Sequence, residues 1–234
     1  MKRFWHTVSI DSGAILLDER PVRTPGRAPL VVPTPALAEA IAEEWRAVGE
    51  VIDPRAMPLT GLANAAIDVI APDPARFAAG LAAYAESDLL CYRAEAPVEL
   101  VARQAAAWDP LLDWARARYD VRFEIAGGIV FRPQPPETIA RMGAVVAALA
   151  PFVLAALSPV VTITGSLVAA LALIEGAASP EALWAAARVD EAWQAEQWGE
   201  DDLAIAATTA RRREFDAATQ LLALYGCPIS SACE

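Results

Sequence analysis

Four carboxylates in the middle of the chain are the side chains best suited to chemistry: Glu86, Asp88, Asp109 and Asp113. A pair of carboxylates can supply the acid and the base for a reaction on a sugar or another small polar substrate. Structural roles fit them better, because Glu86 and Asp88 follow a predicted helix and Asp109 precedes Pro110 as a helix cap would. An enzyme that uses Asp88, Asp109 and Asp113 is therefore the alternative interpretation and not the first.

Other catalytic and ligand-binding patterns are scarce in this chain. His6 is the single histidine, which excludes a site with two imidazole ligands. Neither the Walker A motif nor the glycine-rich dinucleotide motif occurs, and Ser166 lacks the second glycine of a nucleophile elbow, so we expect it to cap a helix. The sequence predicts no catalytic residue, no metal, no cofactor and no small-molecule substrate.

Charge and cysteine content limit the partners and the compartment. The 234 residues include 30 acidic and 19 basic ones, a net charge of -11. This charge would repel nucleic acid and anionic membranes. Three cysteines without a CxxC motif suit a reducing compartment, and no export signal precedes the strand-like residues near the start. The sequence predicts a cytoplasmic protein that binds no nucleic acid.

One long uncharged run raises the question of a membrane. Between Arg141 and Glu175 lie 33 residues without a charge. Pro151 and Pro159 divide the run, so no unbroken apolar helix reaches about 18 residues. We expect a buried helical hairpin and no stable membrane insertion, with a membrane-associated assembly protein as the alternative.

The N-terminal segment predicts a small antiparallel sheet with one covering helix. Short apolar or alternating runs separated by turn residues predict strands at 4–10, 14–17, 21–24 and 30–32. Thr34 followed by Pro35 is typical of a helix start, and Trp45 lies on the apolar face of that helix. We expect this helix to cover the sheet.

The rest of the chain is predicted to be almost wholly helical. The predicted helices are 74–85, 97–108, 110–119, 136–149, 166–175, 180–198 and 201–225, with a possible strand pair at 121–131. A proline-rich break at 72–74 divides the chain into 1–72, a β-rich N-terminal domain with one covering helix, and 73–234, a helical domain. The predicted fold class is α+β, with an antiparallel meander followed by a larger all-helical domain.

Tryptophan beside charge near the end of the chain is typical either of a protein interface or of packing between helices. Trp193 and Trp198 flank Glu196 and precede an acidic turn. Aromatic side chains in such surroundings are enriched at protein interfaces. The residues alone therefore favour a binding protein over an enzyme.

Eight ordered segments carry a resemblance to a known family. They are LLDERPVRTP (16–25), PLVVPT (29–34), EEW (43–45), MPLTGLANAAID (57–68), SDLLCYRA (87–94), WDPLLDW (108–114), TGSL (164–167) and DEAWQAEQWGED (190–201). In this order and spacing the chain resembles the assembly chaperones of the ATP synthase α subunit, known in mitochondria as assembly factor 2. The likeness runs from about residue 4 to residue 222.

The resemblance implies a chaperone for assembly of the ATP synthase catalytic head, here a bacterial member without a presequence. Such a protein would bind the free α subunit and shield its interface surface until β replaces it. The resemblance places the partner-facing residues at Glu191, Gln194, Trp198, Glu200 and Asp202. It also implies that Trp45 packs between the sheet and its helix.

Overall fold

The structure is a computed structural model that describes residues 2–128, 130–199 and 201–229. Its N-terminal sheet consists of β1 (Val8–Asp11), β2 (Ala14–Leu17) and β3 (Arg20–Pro21), paired antiparallel in sequence order. Gly13 makes the first turn at φ 84°, and a Cβ there would stand 2.4 Å from the Val32 carbonyl oxygen. Only glycine fits this close approach.

The last two predicted strands are shorter than expected. Residues 22–32 contribute only isolated bridges, between Arg23 and Pro29 and between Ala14 and Val31. Prolines recur through this segment, and a proline cannot donate a hydrogen bond to a neighbouring strand. The first two hairpins of the predicted meander are therefore confirmed. The prediction of continuous strands at 21–24 and 30–32 is wrong.

The covering helix α1 (Pro35–Ala47) begins where it was predicted to begin. The Thr34 hydroxyl accepts a hydrogen bond from the Leu37 amide at 3.2 Å. Leu37, Ile41 and Trp45 are buried, and α1 packs against β1 and β2. The helix covers the sheet, as its apolar spacing indicates.

A short helical segment follows and continues without a break into a π-helix. A 3-10 turn (Pro54–Ala56) precedes α2 (Pro58–Ala65) and the π-helix Ala66–Ile70. The Glu44 carboxylate accepts hydrogen bonds from the Leu59 amide at 2.7 Å and the Thr60 amide at 2.8 Å. This side chain on α1 therefore caps α2 and fixes its start.

Among the described residues, eight further helices form the body of the molecule. They are α3 (Pro74–Ala82), α4 (Val98–Tyr119), α5 (Pro136–Ala147), α6 (Pro151–Thr164), α7 (Leu167–Ile174), α8 (Pro180–Ala187), α9 (Val189–Trp198) and α10 (Asp202–Tyr225). Two 3-10 turns, Ala83–Ser87 and Leu89–Cys91, follow α3. Every residue of α7 is buried, and α6 packs against α7 and α10. The α+β class is confirmed.

A proline does not divide α4, contrary to the prediction of two helices. Pro110 lies inside α4. Trp108, Leu111 and Leu112 around it are buried. Burying three large side chains offsets the cost of about 3 kcal/mol of an interior proline. Asp109 is therefore not a helix cap.

Two other predicted elements are also wrong. The predicted helix 180–198 is broken at Arg188, next to the point where the Trp108 indole N–H donates to the Ala186 carbonyl at 2.7 Å. The predicted strand pair at 121–131 does not form. Instead β5 (Ala126–Gly127) pairs parallel with β4 (Tyr92–Arg93), and residue 129 lies outside the described residues.

The uncharged run forms the predicted buried hairpin. Helix α6 continues through Pro159 and ends at Gly165, at φ 66°. Ser166 then caps α7 by accepting from the Ala169 amide at 2.9 Å. Among the helices described, none has the length and apolar character to cross a membrane.

The N-terminal segment and the helical body share one core. The Thr34 hydroxyl donates to the Leu224 carbonyl at the end of α10, at 2.7 Å. The buried apolar cluster runs without interruption from Trp5 to Leu222. The division into 1–72 and 73–234 stays a prediction.

Candidate functional site

Helix α9 and the first half of α10 form an exposed helical hairpin, which we name the arm (residues 189–214). No described residue of the arm is buried, whereas Phe215 and Leu221 further along α10 lie in the core. Three of its apolar side chains face solvent: Trp198 is 78% exposed, Leu203 83% and Ile205 46%. Leu203 and Trp198 are the two most exposed large apolar side chains among the described residues, and exposed apolar surface of this kind is typical of a site that binds another protein.

The tip of the arm is defined by a glycine and a capping aspartate. Gly199 adopts φ 82° and ends α9. The Asp201 carboxylate accepts from the Ala204 amide at 2.7 Å and so begins α10, as predicted for this acidic turn. Trp198 ends α9 and Leu203 lies in the first turn of α10, next in the chain to Asp201 and Asp202.

The structure brings together three of the five predicted partner-facing residues. Glu191, Gln194 and Trp198 line a groove of about 320 Å³ between α9 and α10. Asp202 is exposed at the start of α10 and does not line this groove. Glu200 lies outside the described residues. The predicted set is therefore split between the groove and the tip.

Charges differ between the base and the tip of the arm. Glu191 accepts from the Arg188 guanidinium at 2.9 Å and from Arg211 at 3.3 Å. Asp202 forms no ion pair with any described residue. Charge is thus balanced near the body and negative at the tip, which favours partners with basic groups beside apolar ones.

Polar contacts hold the arm to α4. Buried Gln104 accepts from the Ala94 amide at 2.8 Å and donates to the Asp190 carboxylate at 2.6 Å. Arg103 donates to Glu196 at 2.7 Å, and its guanidinium lies 4.8 Å from the centre of the Trp193 ring. Sequence reasoning missed Gln104 and Arg103, because nothing in an isolated helix pattern marks a residue that contacts another helix about 90 positions later.

The carboxylates considered for catalysis have separate partners. Asp88 is fully buried and accepts from the Leu90 amide at 3.1 Å and the Val168 amide at 3.0 Å. Burial raises the pKa of Asp88 to about 6, against the opposing effect of these hydrogen bonds. Asp109 accepts from Arg93 at 2.7 Å and Asp113 pairs with Arg116. Each of the three carboxylates therefore has a structural partner of its own.

Metal ligands do not converge in the part of the chain that is described. Within those residues, no group of three histidine, cysteine, aspartate or glutamate side chains could hold a metal ion. Cys91 is buried and Cys227 is half-buried, and both are free thiols. Cys233 lies outside the described residues.

Trp45 lies in the core of the N-terminal segment. Its ring is 5.3 Å from the ring of Trp5, in an edge-to-face arrangement. The indole N–H groups of Trp5 and Trp45 are buried and have no hydrogen-bond partner among the described residues. Burial of the two rings stabilises the core by apolar packing, and the two unpaired N–H donors offset part of that stabilisation.

Comparison with known proteins agrees with this architecture. Residues 2–116 match the family model described as ATP12 chaperone protein. The crystal structure of Atp12 from Paracoccus denitrificans is 47% identical, with a TM-score of 0.91, over 96% of this chain and 98% of that one. A point mutant of the same P. denitrificans protein is 46% identical, with a TM-score of 0.90, over 96% and 97% of the two chains.

A third structure extends the likeness. It is Atu1473 from Agrobacterium tumefaciens, a proposed chaperone, which is 43% identical with a TM-score of 0.89 over 95% of this chain and 85% of that chain. These matches define the class as a chaperone with an α+β fold. The chain belongs to the ATP12 chaperone family.

Proposed function

We propose that this chain is an assembly chaperone that binds the free α subunit of ATP synthase and covers the surface that α later buries against β. The observation that carries the proposal is the arm, in which no described side chain is buried while Trp198, Leu203 and Ile205 face solvent. Family membership supports the chaperone role.

An unpaired subunit explains why such a surface would be useful. A subunit made for a complex exposes apolar surface until its partner arrives, and such patches associate wrongly. Covering that surface requires no covalent chemistry. Release can follow when β competes for the same surface, so binding of β supplies the free energy for exchange.

The proposal gives different roles to the residues of the arm. Trp198 and Leu203 insert into apolar surface on α and act as anchors. Asp202, which has no ion pair with a described residue, pairs with a basic side chain beside that surface. Glu191 and Gln194 line the polar edge of the contact. The resemblance to the family adds Glu200 to these partner-facing residues. The encounter takes place in the bacterial cytoplasm, without nucleic acid or membrane.

Refolding of isolated α tests the proposal. Purified α diluted from denaturant should become less turbid as this chain is added, with full protection near a one-to-one ratio. The double variant Trp198→Ser/Leu203→Ser should require a large excess, because both anchors are removed. Phe131→Ser is the matched control, since Phe131 is 60% exposed on the loop before α5 and lies outside the arm.

Two results would overturn the proposal. One is turbidity that the wild-type chain leaves unchanged at any ratio. The other is equal protection by the wild type and the double variant, which would mean that the arm does not contact α.

A further inference from the structure

A second concave surface lies where α2, α3, α6 and α10 meet. Its larger part has a volume of about 500 Å³, and a neighbouring part of about 420 Å³ shares Phe77 and Ser158 with it. We name this surface the seam groove; residues of α2, α3, α6 and α10 line its larger part, among them Gly61, Leu62, Phe77, Ser158, Glu214 and Ala217. Its size is that of a typical binding cleft.

One face of α2 builds the core and the other lines the seam groove. Leu59, Thr60 and Ala63 are buried, whereas Gly61 and Leu62 line the groove. Helix α2 therefore packs in the core on one face and borders the groove on the other. A Cβ added to Gly61 would meet no atom within 4 Å, so the groove is open space at this point.

The lining of the larger part is apolar with one charge. Of its described lining residues, Glu214 alone is charged, and this carboxylate pairs with no described residue. The smaller part ends at Asp73 and Arg76, where Asp73 caps α3 by accepting from the Arg76 amide at 3.1 Å. An occupant of the larger part therefore meets apolar side chains and one unpaired negative charge.

The seam groove begins where the arm ends. Glu214 is the last residue of the arm, and Ala217, one turn further along α10, lines the groove. Helix α10 therefore contributes to both surfaces. Glu214 and the tip residues Asp201 and Asp202 each offer a carboxylate to a basic side chain, and Arg211, Arg212 and Arg213 lie between them on α10.

We propose that the seam groove holds a second segment of the same client, with apolar side chains in the groove and a lysine or arginine paired with Glu214. This inference rests on the proposed function, since the client is the free α subunit. Two contacts on one chain would raise affinity beyond that of the arm alone. They would also leave α covered if the tip detaches first.

Filling the groove is the direct test. Gly61→Trp places an indole in the open space, and its helical position tolerates a side chain. We expect the Kd for labelled free α, measured by fluorescence anisotropy, to rise about 10- to 100-fold, the loss expected when one apolar anchor is excluded. Gly61→Ala leaves the groove open and should bind within about twofold of the wild type.

Two matched controls separate the groove from general surface effects. Gly49→Trp adds the same side chain where a Cβ also meets nothing within 4 Å and should leave the Kd unchanged. Glu214→Lys should weaken binding, and the weakening should diminish at high salt. Glu124→Lys makes the same charge reversal on an exposed loop residue and should have no effect. Circular dichroism and the melting temperature report whether each variant is folded.

The outcomes distinguish this inference from the proposed function. If the wild type does not bind free α, both fail. If the wild type binds and folded Gly61→Trp binds equally well, the seam groove inference alone is overturned. It is also overturned if the wild type is a dimer in sedimentation and Gly61→Trp a monomer, because the groove would then hold a second copy of this chain.

Discussion

Replacing Trp198 with alanine should weaken client binding more than any other single truncation on the arm. A tryptophan side chain offers up to about 250 Å², and Trp198 is 78% exposed. Covering most of that area at about 25 cal/mol per Å² gives an upper limit of about 5 kcal/mol. Truncating an interface residue costs only part of this upper limit. We therefore expect the binding free energy to weaken by about 2–4 kcal/mol, which raises the Kd about 30- to 1000-fold.

The assay is binding of labelled free α to wild-type and variant chains, followed by anisotropy at constant salt. Stability should not change, because Trp198 packs in no core cluster. Phe131→Ala, which truncates another exposed aromatic side chain, should bind like the wild type. A Trp198→Ala chain that is folded and binds α within about twofold of the wild type would refute the reasoning, because the best-exposed aromatic side chain would then be no anchor.

Three further predictions concern the supporting structure. Trp45→Ala should lower the free energy of unfolding by about 3–5 kcal/mol in guanidinium titrations, and Trp45→Phe should cost less because the indole N–H it removes has no partner; equal losses would contradict this. Burial raises the pKa of Asp88 from its ordinary value of 3.8 to about 6 in the folded chain, so its contribution to the free energy of unfolding falls as pH rises through this window. The stability difference between the wild type and Asp88→Asn should therefore shrink by about 2 kcal/mol between about pH 4.5 and about pH 7.5, and a constant difference would argue against a raised pKa. Arg103→Met removes the contacts to Glu196 and Trp193, and amide hydrogen exchange should speed up several-fold in α9 while α7 stays protected; unchanged exchange in α9 would show that these contacts do not hold the arm.

Local signals in the sequence were sufficient to predict the helix boundaries that capping side chains and glycines set. Thr34, Ser166 and Asp201 each accept a hydrogen bond from the first turn of a helix. Gly199 and Gly226 follow the ends of α9 and α10. These boundaries depend on neighbours within a few residues, which is the range over which sequence patterns carry information.

Errors arose where a distant contact outweighed the local pattern. Pro110 is a sound local signal for a helix start, yet burial of Trp108 and Leu112 keeps α4 continuous. The end of α8 likewise lies where Trp108, 78 positions away, donates to the Ala186 carbonyl. No pattern within a single helix contains that information.

The candidate site was predictable only in part, for the same reason. The composition around Trp198 indicated an interface, and Glu191, Gln194 and Trp198 do lie together. The exposure of Leu203 and Ile205 and the anchoring role of Gln104 depend on how α9 and α10 leave the body of the molecule. That geometry is set by tertiary packing.

Displacement by β tests the central claim most directly. A complex of this chain with labelled α is formed first, and purified β is then added while the amount of this chain bound to α is measured by size-exclusion chromatography. If this chain covers α only until β arrives, it should dissociate from α as β binds, with about one equivalent released per α–β pair formed. Binding of β to α while this chain stays bound would contradict the account, because the two would then occupy different surfaces.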